Sequence, residues 1–245
     1  MKKIVWIDVG THYAQEYESA FGPSYKFLWQ VFRRFIASKF FFKGSFYKIS
    51  DIKSILRSKI FFRKNKHNFK FFFVEANSKI VSRKAIYKEA HAVFNFALTS
   101  NDDEPIKLSK LFLADSNSLS QGSSIFLEKA NVKKDFFTLC LGINPISFFS
   151  SLKAYLDNDL KDYLVMLRLN CEGVEDQVIY SAHQIFGDSL KLISGSLKDV
   201  KGVKGEEAYL NMKRYMKQNN LPFIFFSSNI STWRNAHSAI KKLRL

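Results

Sequence analysis

Short apolar runs that each end in a polar turn recur along the whole chain and predict the strands of a sheet. The run at residues 163–169 is apolar almost throughout, which is typical of a parallel strand that is buried on both faces. Six other runs have the same character but are shorter. The predicted strands are residues 5–9, 71–74, 93–98, 136–141, 163–169, 190–193 and 222–226.

Helical periodicity fills most of the intervals between these runs. The apolar residues at positions 27, 28, 31, 32, 35 and 36 repeat with the spacing of an amphipathic helix. Strands that alternate with helices predict an α/β fold, with a parallel sheet and helices on both of its faces. Residues 107–114 and 124–128 are predicted as a hairpin or excursion, and residues 198–205 as a loop rich in Lys and Gly. The predicted helices are residues 15–21, 27–36, 78–89, 147–156, 176–186, 206–219 and 232–245.

The formal net charge of +16 belongs mainly to one segment of the chain. Residues 26–70 contain 13 of the 38 Lys and Arg residues but only one of the 22 acids, Asp51. The interval between the first two strands is also longer than one crossover helix needs. We therefore predict a single domain over residues 1–245 with a basic, Phe-rich helical insertion at 22–70. The insertion is expected to serve as a lid, as a dimer contact or as a surface for an anionic partner, or to be only a solvated basic face.

The cysteines and the longest apolar runs exclude several classes of protein. Cys140 and Cys171 are the only cysteines and lack a CxxC or His-Cys neighbourhood, so neither a disulfide framework nor a metal site is expected. Asp8 interrupts the first apolar run well before the length of an export signal, and no run approaches a membrane span. These patterns predict a soluble, cytoplasmic protein.

Polar residues follow three of the predicted strands directly. Asp8 and Gly10 stand at the end of the first run, Glu75 and Asn77 follow the run at 71–74, and Asn170 follows the run at 163–169. The carboxyl ends of parallel strands meet at one edge of an open α/β sheet, where a glycine lets the backbone approach a ligand closely. The three strand ends therefore predict one ligand-binding edge.

The same strand ends carry short motifs between residue 4 and about residue 185. Apart from the basic segment, their order and relative spacing match the pattern of one protein family. The most specific motif is the last one, Asn-Cys-Glu-Gly-Val-Glu at residues 170–175. With these motifs the chain resembles the FkbM family of S-adenosylmethionine-dependent methyltransferases. The matching motifs are Asp8-Val9-Gly10, Glu75-Ala76-Asn77, Ala97-Leu98-Thr99-Ser100, Thr138-Leu139-Cys140 and Arg168-Leu169-Asn170-Cys171-Glu172-Gly173-Val174-Glu175.

The resemblance implies a Rossmann-like, seven-stranded methyltransferase sheet that binds S-adenosylmethionine and methylates a hydroxyl group, often of a sugar or a polyketide. It places Asp8 near the amino group of the cofactor, Glu75 at the ribose hydroxyls, and Thr99 or Ser100 beside the adenine. The implied cofactor-binding residues are Asp8, Gly10, Thr11, His12, Glu75, Asn77, Thr99 and Ser100.

Four positions depart from the family pattern. The asparagine of the first loop is His12, its second glycine is Ala14, and two aspartates are Cys140 and Asn170. A hydroxyl acceptor needs a general base within hydrogen-bond reach. The candidate catalytic residues are Glu172, Asn170 and His12, although Glu172 and Asn170 are equally suited to capping the helix that follows them.

The favoured function is O-methylation of a sugar or glycan precursor, with the basic insertion contacting anionic groups of the acceptor. Two other classes stay open. An RNA-directed methyltransferase or a nucleic-acid-binding protein would use the Lys, Arg and aromatic residues of the segment 26–70. A non-catalytic relative would dock on an anionic membrane or partner through the helix at 27–36.

Overall fold

The computed structural model describes residues 2–40, 49–102, 104–115, 119, 122–233, 235, 236, 239 and 243. Residues 41–48 of the predicted insertion lie outside these described residues, as do eight positions of the terminal helix predicted at 232–245.

A parallel sheet of five strands forms the centre of the described structure. From one edge to the other, its strands are Ala92–Phe94 (β3), Phe69–Val74 (β2), Lys3–Val9 (β1), Tyr163–Leu169 (β7) and Leu190–Gly195 (β8). Its middle strands pair in register over their whole length, so that Asp8 of one strand lies beside Arg168 of the next. All seven residues of the strand predicted at 163–169 are buried, as expected for the centre of such a sheet. The strands of the described residues are β1 (Lys3–Val9), β2 (Phe69–Val74), β3 (Ala92–Phe94), β4 (Ala97–Leu98), β5 (Ile106–Phe112), β6 (Phe137–Ile143), β7 (Tyr163–Leu169) and β8 (Leu190–Gly195).

The central sheet has two strands fewer, within the described residues, than the seven expected from the resemblance. β4, β6 and β5 form a separate sheet in that order, in which β5 runs antiparallel to β6. The strand predicted at 93–98 is therefore wrong as one element, because it divides into β3 and β4 of different sheets. The division falls at Asn95, whose side-chain amide donates 2.7 Å to the carbonyl of Glu75.

The strand predicted at residues 222–226 is also wrong, although the segment lies beside β8. It makes one bridge to that strand, in which the Ile193 N–H donates to Pro222 at 2.9 Å and the Ile224 N–H donates to Ile193 at 2.9 Å. Pro222 has no N–H of its own, so it contributes only an acceptor to the pairing.

Helices cover both faces of the central sheet. The helix predicted at 15–21 is confirmed with the same bounds. The loop predicted at 198–205 is wrong, because helix begins at Lys198 and Gly205 marks a kink inside it, with φ 89° and ψ 172°. The helices are α1 (Gln15–Phe21), α2 (Ser24–Phe40), α3 (Ile49–Lys64), α4 (Ser78–Arg83), α5 (Pro145–Asp159), α6 (Glu175–Phe186) and α7 (Lys198–Gln218).

Two apolar cores lie on opposite faces of the sheet because side chains alternate along each strand. On one face Val5 and Ile7 pack with α5, α6 and α7. On the other face Ile4 and Trp6 pack with α1, α3 and the C-terminal segment. The architecture is thus α/β with a parallel central sheet between two helical layers.

The basic segment contributes directly to the second core. Phe27, Ile55 and Phe62 are buried there, and the Phe62 ring lies 5.9 Å from that of Trp233 and 6.1 Å from that of Trp6. The described part of the segment is therefore a packed helical layer with a basic outer surface. No helix in the described part of the chain combines the length and the apolar character that crossing a bilayer requires.

The Phe62→Ala substitution is expected to lower the free energy of unfolding by about 3–5 kcal/mol, because it leaves a cavity beneath Trp6 and Trp233. The matched control is Phe32→Ala on α2, where the ring is 53% exposed and a change within about 0.5 kcal/mol is expected. Urea unfolding of both variants measures the difference. Equal effects would mean that α3 is not part of the core.

Candidate functional site

A cavity opens where the strand order of the central sheet reverses. β2 and β3 extend the sheet on one side of β1, while β7 and β8 extend it on the other side. The loops that follow β1 and β7 separate at this point, which is the usual place for a ligand in an open α/β sheet. The cavity has a volume of about 670 Å³, within the range of small-molecule sites.

Gly10 forms the floor of the loop that follows β1. Its φ is +71°, and a side-chain Cβ at this position would lie 2.0 Å from the carbonyl oxygen of Asn170. The backbone N–H groups of Gly10 and Thr11 donate to the carbonyl of Val74 at 2.9 and 3.2 Å. The Thr11 hydroxyl donates 2.7 Å to the carbonyl of Asp8. The glycine therefore lets three strand ends meet, and the threonine hydroxyl fixes the turn.

Glu75 ties the loops after β1 and β2 together. Its carboxylate accepts the backbone N–H of His12 at 2.7 Å and that of Asn77 at 2.8 Å. Burial raises the pKa of Glu75, although these two N–H groups act in the opposite direction. Glu75 and Asn77 both line the cavity, as the sequence predicts for the end of β2. Asn77 also accepts the N–H of Lys79 at 3.1 Å and so begins α4.

Asp8 does not line the cavity, contrary to the role that the resemblance implies for it. Its side chain is fully buried and accepts 2.9 Å from Arg168, which also contacts Glu16 at 2.8 Å and donates 2.8 Å to the carbonyl of Gly10. Burial raises the pKa of Asp8 to about 6, while Arg168 lowers it. Burial alone would lower the pKa of Arg168, but the two carboxylates raise it above its ordinary value. Asp8 thus belongs to the support of the loop.

Thr99 and Ser100 do not line the cavity either, contrary to their predicted place beside an adenine. The chain continues along β6 after β4, because the Thr99 N–H donates 3.0 Å to the carbonyl of Ile143. The carbonyl of Ser100 accepts from the Asn144 amide at 3.4 Å. The wall at this place is formed instead by Phe96, Ala97 and Leu98.

Glu175 holds the loop that follows β7, a role that the sequence did not reveal. Its carboxylate accepts the N–H groups of Cys171, Glu172 and Gly173 at 3.1, 2.7 and 2.9 Å. Burial raises its pKa to about 7, against the effect of the N–H groups. An acid at the start of a helix is common, so the sequence alone did not distinguish this residue from an ordinary first-turn acid.

Glu172 faces the cavity with Lys129 as its partner. The two side chains form an ion pair in which each is at most 15% exposed, and Lys129 also lies 3.5 Å from Asp199. Burial lowers the pKa of Lys129, although Asp199 raises it. All three residues line the cavity. Lys129 and Asp199 were missed because each stands alone in its part of the sequence, with no motif around it.

His12 and Asn170 line the same cavity from the loops after β1 and β7. His12 has φ +50°, its carbonyl accepts 2.6 Å from the Tyr87 hydroxyl, and its ring lies 3.9 Å from the Tyr13 ring. The Asn170 N–H donates 2.9 Å to the carbonyl of Val9. The three predicted catalytic residues therefore line one cavity. Gly10, Thr11, Glu75 and Asn77 of the predicted cofactor set line it as well, and His12 belongs to both sets.

The lining differs in charge from the protein as a whole. It contains four carboxylates, of Glu16, Glu75, Glu172 and Asp199, against three cations, Arg168, Lys129 and Lys198. No described residue of the segment 22–70 lines it, so the expected lid over the site is not found among those residues. The net charge of +16 is therefore located outside the cavity.

The Gly10→Ala substitution is expected to lower the free energy of unfolding by about 4 kcal/mol or more, because the added methyl overlaps the Asn170 carbonyl. Gly187→Ala is the matched control. Its φ is also positive, at 48° with ψ −126°, but a Cβ there meets nothing within 4 Å, so only the cost of the strained backbone, about 1–3 kcal/mol, is expected. Thermal and urea unfolding compare the two. A control that is as damaging as Gly10→Ala would contradict the close approach of the two strand ends.

The pH dependence of stability tests the burial of Glu175. Its pKa of about 7 in the folded protein lies above the ordinary 4.5, so its contribution to stability is complete below pH 4.5 and is lost as the pH rises towards 7. Relative to Glu175→Gln, the protein should lose about 3 kcal/mol of unfolding free energy over this range. Urea unfolding of both proteins at several pH values measures the change. A difference that grows with pH would show that the three N–H groups outweigh burial.

Models of known protein families, curated proteins and solved structures were compared with this chain, and none of them matches it. The likeness to FkbM-type methyltransferases therefore stays a prediction from the motifs at the strand ends. The geometry supplies an independent fact, since the loops after β1, β2 and β7 line one cavity.

Proposed function

We propose that the cavity binds S-adenosylmethionine and that the protein is an O-methyltransferase. The observation that carries the proposal is an acidic cavity at the switch point of a strongly basic protein. S-adenosylmethionine has a positive sulfonium and an overall positive charge, so a lining with more carboxylates than cations suits it. A nucleotide with several phosphates carries the opposite charge, so the same lining suits it less well.

The residues of the cavity fit such a cofactor by their chemistry. Gly10 lets the loop after β1 lie directly against the Asn170 carbonyl, and it lines the cavity with backbone atoms alone, so a methionine moiety can approach that backbone. Each oxygen of Glu75 accepts one backbone N–H and retains a lone pair for a ribose hydroxyl. Phe96 and Leu98 offer apolar surface to a base. The cofactor supplies the reactive methyl group, and the protein positions it and excludes water.

The opposite wall has the character of a site for a hydroxylated acceptor. The small polar side chains of Ser123, Ser124, Asn131, Ser196 and Ser227 line it. Hydroxyls and amides both donate and accept hydrogen bonds, which suits a sugar. These residues come from the segment between β5 and β6, from the turn after β8 and from the C-terminal region, rather than from the basic segment.

Glu172 and His12 are the proposed acceptors for the proton of the reacting hydroxyl, and Asn170 is proposed to orient that hydroxyl. The Glu172 carboxylate is paired with the Lys129 ammonium on the wall of the cavity. An ion pair at this place can therefore hold an acceptor hydroxyl as well as receive its proton.

Calorimetric titration with S-adenosylmethionine, S-adenosylhomocysteine and ATP tests the proposal. We expect the two sulfur nucleosides to bind and Glu75→Gln to weaken them about tenfold to a hundredfold, as loss of hydrogen bonds to a charged group does. Thr99→Val is the control, since Thr99 lies outside the cavity and binding should change by less than about twofold. Tight binding of ATP without binding of either sulfur nucleoside would refute the proposal.

A further inference from the structure

Helix α2 presents a stripe of large apolar side chains to solvent. Tyr25, Leu28, Trp29 and Phe32 are 68, 48, 62 and 53% exposed. Their spacing of i, i+3, i+4 and i+7 places them on one side of the helix. The sequence predicts an amphipathic helix here, with its apolar side facing the core. Of that predicted side, Phe27 is buried and Val31, Phe35 and Ile36 are half-buried, whereas Leu28 and Phe32 are exposed. The exposed apolar stripe is therefore rotated away from the side that packs on the core.

The contacts that attach α2 to the rest of the protein explain why the apolar stripe faces solvent. The Phe27 ring packs 4.9 Å from the ring of Trp233, and the Lys59 ammonium lies 5.1 Å from the centroid of the Phe27 ring. Arg63 of α3 donates 2.5 Å to the Ser24 hydroxyl at the start of α2. Phe27 lies roughly 200° around the helix from Tyr25, so the anchored side and the exposed stripe face different ways.

Basic residues flank one side of the stripe. Lys26 and Arg33 are exposed on α2 and lie about 60° and 40° around the helix from Trp29, whereas Arg34 lies about 140° from it, on the side of Phe27. The segment 26–70 has 13 basic residues and one acid, which is a local excess found nowhere else in the chain. Large aromatic and aliphatic side chains with Lys and Arg beside them are the composition of helices that lie in a membrane interface.

We propose that α2 docks the protein on an anionic lipid surface. Leu28, Trp29 and Phe32 would enter the headgroup region, while Lys26 and Arg33 contact the acidic headgroups. An anionic bilayer satisfies both features of the helix at once. Nucleic acid would satisfy the charges and stack on aromatic rings, but it offers no apolar environment for Leu28.

The docking surface is separate from the candidate cofactor site. None of Tyr25, Leu28, Trp29 and Phe32 lines the cavity. The inference therefore does not depend on the proposed methyltransferase activity, and variants of the stripe are expected to retain cofactor binding.

Trp29 provides an intrinsic reporter for the test. The chain has three Trp residues, and Trp6 and Trp233 are fully buried whereas Trp29 is 62% exposed. Phosphatidylcholine vesicles with about one third phosphatidylserine are expected to shift the emission of Trp29 to the blue and protect it from iodide, as burial of the ring in the interface requires. Pure phosphatidylcholine vesicles are expected to do neither. Trp29→Phe should lose the optical signal but still sediment with the acidic vesicles.

Variants separate the two contributions to docking. Leu28→Ser combined with Phe32→Ser is expected to lower the vesicle partition coefficient at least about tenfold, because two buried apolar side chains are lost. Arg33→Gln should lower it about fivefold, whereas Arg34→Gln, on the side of the helix away from the stripe, should change it by less than about twofold. The control is Leu108→Ser combined with Leu141→Ser, which changes the exposed face of β5 and β6 and should leave partitioning unchanged. Circular dichroism confirms that each variant is folded, since all the altered side chains are exposed.

Three results would overturn the proposal. The first is equal binding to acidic and neutral vesicles, or to neither. The second is tight binding of an RNA oligonucleotide that requires Arg33 but not Leu28 and Phe32, together with no vesicle binding. The third is a lipid-free dimer in sedimentation equilibrium that the Leu28→Ser, Phe32→Ser variant abolishes, because that would identify a second copy of the chain as the occupant.

Discussion

The buried ion pair of Arg168 with Asp8 and Glu16 is the interaction on which the sheet edge depends. One guanidinium joins the end of β1, the carbonyl of Gly10 and the first turn of α1. Removing any one charge of such a group leaves the others buried without compensation, which costs several kcal/mol. The position of the loop after β1, and with it one side of the cavity, is therefore fixed by electrostatics within the protein.

The carboxylates at the other strand ends are used in a related way. Glu75 accepts two backbone N–H groups and Glu175 accepts three, so that each carboxylate holds a loop that would otherwise leave its N–H groups unpaired. Some of the polar groups at this edge of the sheet therefore serve to hold the loops in place. Glu172, Lys129 and Asp199 are different, since they form a charged group on the wall of the cavity itself.

The distribution of charge gives the molecule two dissimilar surfaces. The cavity lining has a small excess of carboxylates, while the segment 26–70 holds most of the net positive charge. A uniformly basic protein would attract polyanions at every surface, whereas this arrangement separates the cavity from the basic surface. The expectation that basic residues contact the acceptor does not agree with this separation, because the described residues of that segment lie outside the cavity.

Local pattern was sufficient to predict the parallel α/β architecture, the bounds of α1 and β7, and the convergence of the ends of β1, β2 and β7. These features follow from apolar periodicity and from the rule that parallel strands end at one edge. The helical start of α7 was hidden by its Lys and Gly content, and the division at Asn95 depends on a side-chain contact with the distant Glu75.

The tertiary structure alone decided which polar residues face the cavity. Asp8 is withdrawn by Arg168, which lies 160 positions away in the chain, and Thr99 turns towards Ile143. Lys129 enters the site from a segment without a motif. The sequence determined where strands and polar turns occur, because that information is local. Only the fold determined which side chains pair with one another, because buried charges take partners from strands and loops that are far apart in the chain.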